Sequence, residues 1–218
     1  MPRQQIKVSK EQRKRQLRTT VTVVGLFLLL LTISCRNSQI DKQFDKIQDQ
    51  KKQLAALQKE NEQLNTLNHS CAHVMAQAIK HLYPQAKFWV GPVVAEGFYY
   101  DVDLGDEVVS DEAIAKIEKE MKKICKDGKR IVRREISKEE ALEMFKDDEY
   151  KLDLISNLKD GTITCYSQGD FTDLCRGPHV ETVKMCKNFK LIKHSGAYWK
   201  GDKNNKVLQR IYGVCFPT

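Results

Sequence analysis

The sequence predicts an α+β fold, an antiparallel sheet with packed helices, preceded by an apolar helix and a coiled-coil-like helix. Three observations predict it. After Leu67, helical patterns and strand-like runs alternate without the regular βαβ rhythm of a parallel sheet. Thr19 to Cys35 form seventeen consecutive uncharged residues. Between Ile40 and Leu64, residues recur at heptad spacing. The chain thus divides into residues 1–36, a basic tail with an apolar membrane or signal segment; 37–66, a connector helix; and 67–218, a globular domain.

The first segment opens with Lys7, Lys10, Arg13, Lys14, Arg15 and Arg18 and continues into VVGLFLLLL. Residues 1–36 hold eight Lys or Arg against Glu11, a charge of +7 out of the chain's +8, so the basic excess belongs to the N-terminus. At ~1.5 Å per residue, residues 19–35 reach about 25 Å, slightly short of a ~30 Å hydrocarbon core. This is a marginal span or a signal sequence, and the flanking charge favours an N-terminus left in the cytoplasm. LLTISC, ending at Cys35, loosely matches a lipoprotein cleavage site, with Thr32 a poor fit. A buried core helix is the structural alternative, disfavoured by the charge-free run between Arg18 and Arg36.

In the second segment Ile40, Ile47, Leu54 and Asn61 take heptad position a, and Gln43, Gln50, Leu57 and Leu64 take position d. Residues 40–66 are therefore a candidate homodimer contact, against the alternative of a solvated single helix. A span followed by a coiled coil is similar in arrangement to small bitopic bacterial cell-division proteins.

In the third segment residues 69–83 read as a helix stopped at Tyr83-Pro84. Phe88–Val94 and Gly97–Leu104 read as strands around a turn at Ala95-Glu96. Ser110-Asp111 starts a charged helix to about Lys126, Asp127-Gly128 turns, and Arg130–Ile136 is a strand. Ser137 opens a short helix with the capping pattern Ser-x-x-Glu. Glu149–Ser156, Thr162–Ser167 and Phe189–Lys193 read as strands. Seven cysteines, odd in number and irregular in spacing, read as reduced thiols of a cytosolic domain, and the lack of C-x-x-C excludes a zinc ribbon.

Two short stretches carry the candidate chemistry. In HSCAH, His69 and His73 lie about 40° apart on one helical face. Ala72, Met75, Ala76, Ile79 and Tyr83 form the adjoining apolar arc, and Cys71 points away. In CRGPH, Gly177-Pro178 forbids a regular helix between Cys175 and His179, so this is a shaped loop. Facing His69 and His73, a thiol and a third imidazole make either a tetrahedral zinc set or a metal-free group that holds water and stabilises an oxyanion. Asp173 is a further candidate for orienting a group. An inert structural loop is the alternative. Lys122–Arg134 (KKICKDGKRIVRR) is a candidate phosphate contact or simply a solvated charged face.

NHSCAHVMAQAIKHLYPQAKFWVGPVVAEGFYYDVDL, FTDLCRGPHV and GAYWKGDKNNKVLQRIYG resemble the second N-terminal, editing domain of bacterial threonyl-tRNA synthetases, a module also found in alanyl-tRNA synthetases and free-standing editing proteins. The resemblance covers residues 67–218 and leaves 1–66 unmatched. It implies hydrolysis of the ester in seryl-tRNA(Thr), because a synthetic site gains only ~1–3 kcal/mol against a substrate lacking one methyl. The family's ubiquitin-like, aminoacylation and anticodon-binding domains have no counterpart, so no threonine activation is expected. His69, His73, Cys175 and His179 would form the centre, with Asp173 and with Lys151 of EYKLDL beside it. His69 and Lys151 would position the attacking water; His73 and His179 would orient substrate or polarise the carbonyl. The resemblance to the threonyl branch implies no required cofactor, whereas in the alanyl branch the same four positions suit zinc. The partner would be the 3′ CCA end of tRNA(Thr) carrying serine, recognised by stacking and 2′-OH contacts. Tyr99, Tyr100, Tyr198 and Trp199 are the stacking candidates, with core packing as their alternative role. A cytoplasmic editing domain conflicts with a membrane anchor through residues 19–35 that would carry it outside. The competing expectation is a membrane-anchored coiled-coil protein with a non-catalytic fused domain.

Overall fold

The computed structural model describes residues 10–159 and 163–217. Lys7 of the basic tail and Thr162 of the expected strand lie outside the described residues. The chain clusters into two compact units, Met1–Gln58 and Lys59–Thr218. The three helical stretches expected from the sequence belong to one element, α1 (Lys10–Leu82), which contributes to both units.

In the first unit α1 buries none of its apolar side chains: Val21, Val23, Leu26, Phe27, Leu28 and Ile33 are all exposed. Its hydroxyls are satisfied within the helix. Thr19, Thr20 and Thr22 donate to the carbonyls of Arg15, Gln16 and Arg18 at 3.0, 2.9 and 2.9 Å, and Thr32 donates to Leu29 O at 2.8 Å. The stretch has the length and composition to cross a membrane, a description that a signal sequence also meets.

The second unit is α+β with antiparallel sheets. A five-stranded sheet is built from β1 (Lys87–Phe88), β2 (Val93–Val94), β3 (Gly97–Asp103), β7 (Phe189–Tyr198) and β8 (Val207–Cys215), in the order β1-β3-β8-β7 with β2 also on β3. A three-stranded sheet orders β4 (Ile131–Glu135), β5 (Thr164–Gln168) and β6 (Phe171–Leu174) in sequence. Helices α2 (Asp111–Asp127), α3 (Lys138–Met144) and α4 (Glu149–Ser156) complete the unit. The main core gathers Cys71, Ala72, Met75 and Ile79 of α1, Phe98, Tyr100 and Val102 of β3, and Ile117, Met121 and Ile124 of α2. Ile136, Ala141, Ile155, Ile163 and Cys165 form a second, smaller core.

Several elements follow from local chemistry as expected. Ser110 Oγ accepts from Ala113 N to start α2, and Gly128, at φ 66°, ends it in the left-handed conformation. Ser137 Oγ accepts from Glu140 N at the start of α3. Others differ. Glu149–Ser156 is a helix, not a strand: the Asp148 carboxylate accepts from Tyr150 N and Lys151 N, and the buried residues Tyr150, Lys151 and Ile155 follow helical spacing. The expected strand Phe88–Val94 breaks into β1 and β2. At the break, a Cβ on Gly91 would stand 2.5 Å from the Tyr100 ring, and Pro92 has no N–H for the ladder. The strand begun at Phe189 runs on to Tyr198 through a bulge between Leu191 and Lys193. β6 and β8 were not anticipated.

Asn68 ties α1 to the sheet. Its side chain donates to Cys215 O at 3.1 Å and accepts from Cys215 N at 2.9 Å, pairing the end of β8 as a neighbouring strand would. In the last turn of α1, His81 bridges Glu120 of α2 at 3.1 Å and Asp170 of the β5–β6 turn at 3.0 Å. Partial burial lowers the His81 pKa, but the carboxylates of Asp170 and Glu120 outweigh it and raise the pKa above 6.5. This contribution is therefore fully present below pH 6.5 and is lost as pH rises through the elevated folded value. A His81→Gln variant is expected to lose most stability relative to wild type at pH 5.5 and less at pH 8, read from urea midpoints. A larger deficit at pH 8 would refute the bridge.

Candidate functional site

Two elements deliver the four expected residues to one place. The last turns of α1 carry His69 and His73 inward, because Ala72, Met75, Ala76 and Ile79 anchor the adjoining face in the core. The loop after β6 carries Cys175 and His179 round a turn that glycine makes possible: Gly177 has φ 71°, and a Cβ there would stand 2.1 Å from the Tyr166 hydroxyl. The Gly177-Pro178 peptide is cis.

Cys175 Sγ lies 3.2 Å from His69 Nε2 and 3.3 Å from His179 Nε2, and accepts from Gly177 N at 3.2 Å. The His69 and His73 rings each pack on His179, with centroids 4.4 and 4.3 Å away. One potential ligand atom from each of His69, His73, Cys175 and His179 lies within 4.8 Å of the others.

Burial keeps this cluster neutral. It lowers the His69 pKa, pushes His73 to about 4 and pushes His179 to about 2, with the crowding of the rings adding to His179. Burial likewise raises the Cys175 thiol to about 11, against the opposing Gly177 N–H. Three neutral imidazoles and a protonated thiol result at neutral pH.

Beside the cluster lies a buried ion pair. Lys151 of α4 reaches Asp173 of β6 at 2.6 Å, with side chains only 3% and 2% exposed. Lys151 Nζ also donates to Tyr100 Oη at 3.1 Å and to the Trp89 carbonyl at 3.2 Å. Tyr100 Oη donates to Asp173 Oδ2 in a short hydrogen bond, and Leu174 N donates to Oδ1 at 2.8 Å. Burial opposes the Asp173 charge, but Lys151 and the other partners outweigh it and hold the pKa below the ordinary carboxylate value. His73 Nε2 lies 3.7 Å from Asp173 Oδ2, and so joins the pair to the histidine cluster.

The stacking candidates are placed differently. Tyr100 is 2% exposed and spends its hydroxyl on Asp173 and Lys151, so it is part of the floor of the site and offers no face to a base. Tyr99 is half-buried, with the Arg210 guanidinium 4.0 Å from its ring. Trp199 is half-buried against Tyr150 at 5.1 Å, and Tyr198 alone of the four is largely exposed. No hydrogen bond or ring contact among the described residues joins Tyr99, Tyr198 or Trp199 to the cluster. In the basic stretch, Arg130, Arg133 and Arg134 pair with Glu181, Glu135 and Glu140.

Sequence reasoning missed Ser70, which touches His179, and Tyr166, whose ring lies 4.4 Å from it. Ser70 stands inside HSCAH, but its partners come from a loop far along the chain.

Removing one member of a buried ion pair costs ~3–5 kcal/mol because the other is left uncompensated. Asp173→Asn is expected to destabilise the protein by about that amount. Adding Lys151→Met to it should recover most of the loss in urea denaturation; additive losses would mean that the pair does not act as a unit.

Comparison with known proteins accords with this geometry. The family described as the threonyl and alanyl tRNA synthetase second additional domain matches residues 163–212, which include Asp173, Cys175 and His179. A threonine–tRNA ligase of Desulfatibacillum aliphaticivorans is 52% identical over 158 residues, 72% of this chain. Those of Staphylococcus epidermidis and Staphylococcus aureus are each 54% identical over 156 residues, 71% of this chain. The matched part spans 24% of the length of each relative. With the α+β fold and the assembled cluster, these matches identify the C-terminal part of the chain as an editing segment of the threonyl-tRNA synthetase type.

Proposed function

We propose that residues 67–218 hydrolyse the ester of mischarged seryl-tRNA(Thr) in the cytoplasm. The observation that carries this reading is the meeting of His69, His73, Cys175 and His179 with the Lys151–Asp173 pair in one buried site. Water would attack the seryl carbonyl carbon, the carbonyl–ribose oxygen bond would break, and a proton would pass to the departing ribose hydroxyl. His69 and Lys151 position the water in this scheme. His73 orients the aminoacyl group: its Nδ1 is buried without a hydrogen-bond partner and so has capacity for a polar group of the substrate. A site lined by the three imidazoles and Tyr166 would admit serine and exclude the threonine methyl.

The four donors also fit zinc, which would bind through His69, His73, Cys175 and His179 and acidify a bound water. We hold that no metal is required, because Lys151 already supplies a fixed positive charge beside the cluster.

The exposed apolar stretch of α1 favours a second reading for residues 1–66, a membrane anchor with homodimerisation through residues 40–66. Under this alternative the fused domain is non-catalytic.

The full chain is expected to release serine from seryl-tRNA(Thr) and to leave threonyl-tRNA(Thr) largely intact. Lys151→Met and His73→Ala should each slow release by ~10²–10⁴-fold. A chelator should leave the rate unchanged. Stoichiometric zinc in the purified protein, lost in Cys175→Ser, would overturn the metal-free reading. Absence of deacylation by a folded chain that fractionates with membranes would favour the alternative.

A further inference from the structure

Ser70 is fully buried at the junction of α1 and the Cys175–His179 loop. Its Oγ has three polar neighbours: Thr66 O at 2.8 Å, Val180 N at 2.9 Å and His179 Nδ1 at 3.1 Å. A serine hydroxyl has one proton to give and two lone pairs to receive. Val180 N can only donate, and so takes one lone pair. Thr66 O can only accept, and so claims the single proton. What remains for His179 is the second lone pair, and Nδ1 must carry the hydrogen that fills it. The opposite assignment, with the hydroxyl donating to Nδ1, would set two unprotonated oxygens 2.8 Å apart inside the protein.

We propose that Ser70 is a positioning residue that fixes His179 as the Nδ1–H tautomer, leaving an unprotonated Nε2 turned toward Cys175. The inward side is compatible. Cys175 Sγ receives Gly177 N–H, and a thiol has one hydrogen to give, for which His69 Nε2 at 3.2 Å and His179 Nε2 at 3.3 Å are both within reach; given to His69, it leaves the His179 Nε2 lone pair open. The consequence rests on the hydrolase reading above. His179 takes a hydrogen from water or from the seryl hydroxyl or ammonium group, and has none at Nε2 to polarise the carbonyl. That narrows the role expected from the sequence, where His179 was a candidate for either task. For a metal-ligating histidine, loss of such an outer partner costs ~10–100-fold, and a drop of that order is expected here.

The test is histidine-selective ¹⁵N spectroscopy of the full chain, joined to steady-state deacylation. In the wild type, His179 should show a protonated Nδ1 and an unprotonated Nε2. Ser70→Ala should shift this toward the other tautomer and lower kcat by ~10–100-fold with KM little changed. Ser70→Thr, which keeps the hydroxyl, should restore both. A wild-type His179 protonated at Nε2 would overturn the proposal, as would a folded Ser70→Ala chain with an unchanged tautomer. A wild type with the Nδ1–H signature, lost in Ser70→Ala, but without deacylation would uphold the tautomer assignment and overturn the hydrolase reading.

Discussion

Asp173 is held from four directions. It sits on β6, pairs with Lys151 of α4, receives the hydroxyl of Tyr100 from β3 and lies beside His73 of α1. A carboxylate buried to this degree is tolerable only because each oxygen has a donor and the charge has a counter-ion. That requirement constrains the architecture. The two sheets, α4 and the end of α1 must all reach one point, and each is sequence-distant from the others. The same requirement explains the start of α4. Asp148 caps the helix through Tyr150 N and Lys151 N, and its other oxygen accepts from Phe88 N at 2.8 Å, which locks α4 to the edge of the five-stranded sheet.

The ion pair and the histidine cluster divide the electrostatic labour. Charge is confined to Lys151 and Asp173, where it is internally balanced. The cup next to it is kept neutral by burial, so the Nε2 atoms of His69 and His179 face the thiol without adding charge. For the proposed reaction, a neutral cup would exchange hydrogen bonds with an aminoacyl ester at low reorganisation cost. His73 Nδ1 is buried without a hydrogen-bond partner, while its Nε2 lies 3.7 Å from Asp173 Oδ2.

How far the sequence reveals this depends on whether the relevant signal is local. Capping residues Ser110 and Ser137, the Gly128 stop and the inward face of HSCAH are set by neighbours within one or two turns, and they are legible. The cluster itself is legible through unusual residue types at unusual spacing. Glu149–Ser156 misleads because Tyr150, Leu152 and Leu154 alternate as in a strand. The deciding factor is the Asp148 cap, which is visible in the sequence but also consistent with a turn. Lys193, His194 and Ser195 hide the second half of β7, because an exposed strand face need carry no apolar pattern. Tyr100 looks like a surface aromatic until β3 is seen to be buried on the face that meets Asp173. Ser70 is the hardest case, since its role depends on a long-range meeting of α1 with the loop at Val180 that no periodicity encodes.

The same reasoning bears on the N-terminal segment. Its Thr hydroxyls bond back to their own helix, and all its apolar side chains are exposed, so this part of α1 satisfies these hydroxyls within the helix itself. A lipid environment demands that, whereas water does not. The proposed editing reaction would demand the reverse: a hydrated route for the end of a polyanionic tRNA. With the basic flank of residues 1–18 (seven Lys or Arg against Glu11, +6) held on the cytoplasmic side, a spanning helix would deliver the C-terminal unit to the opposite side from its proposed substrate. The two demands conflict only if the apolar stretch spans in that orientation. Insertion in that orientation and access to tRNA are thus mutually exclusive outcomes for one molecule, and the location of the C-terminal unit decides between them.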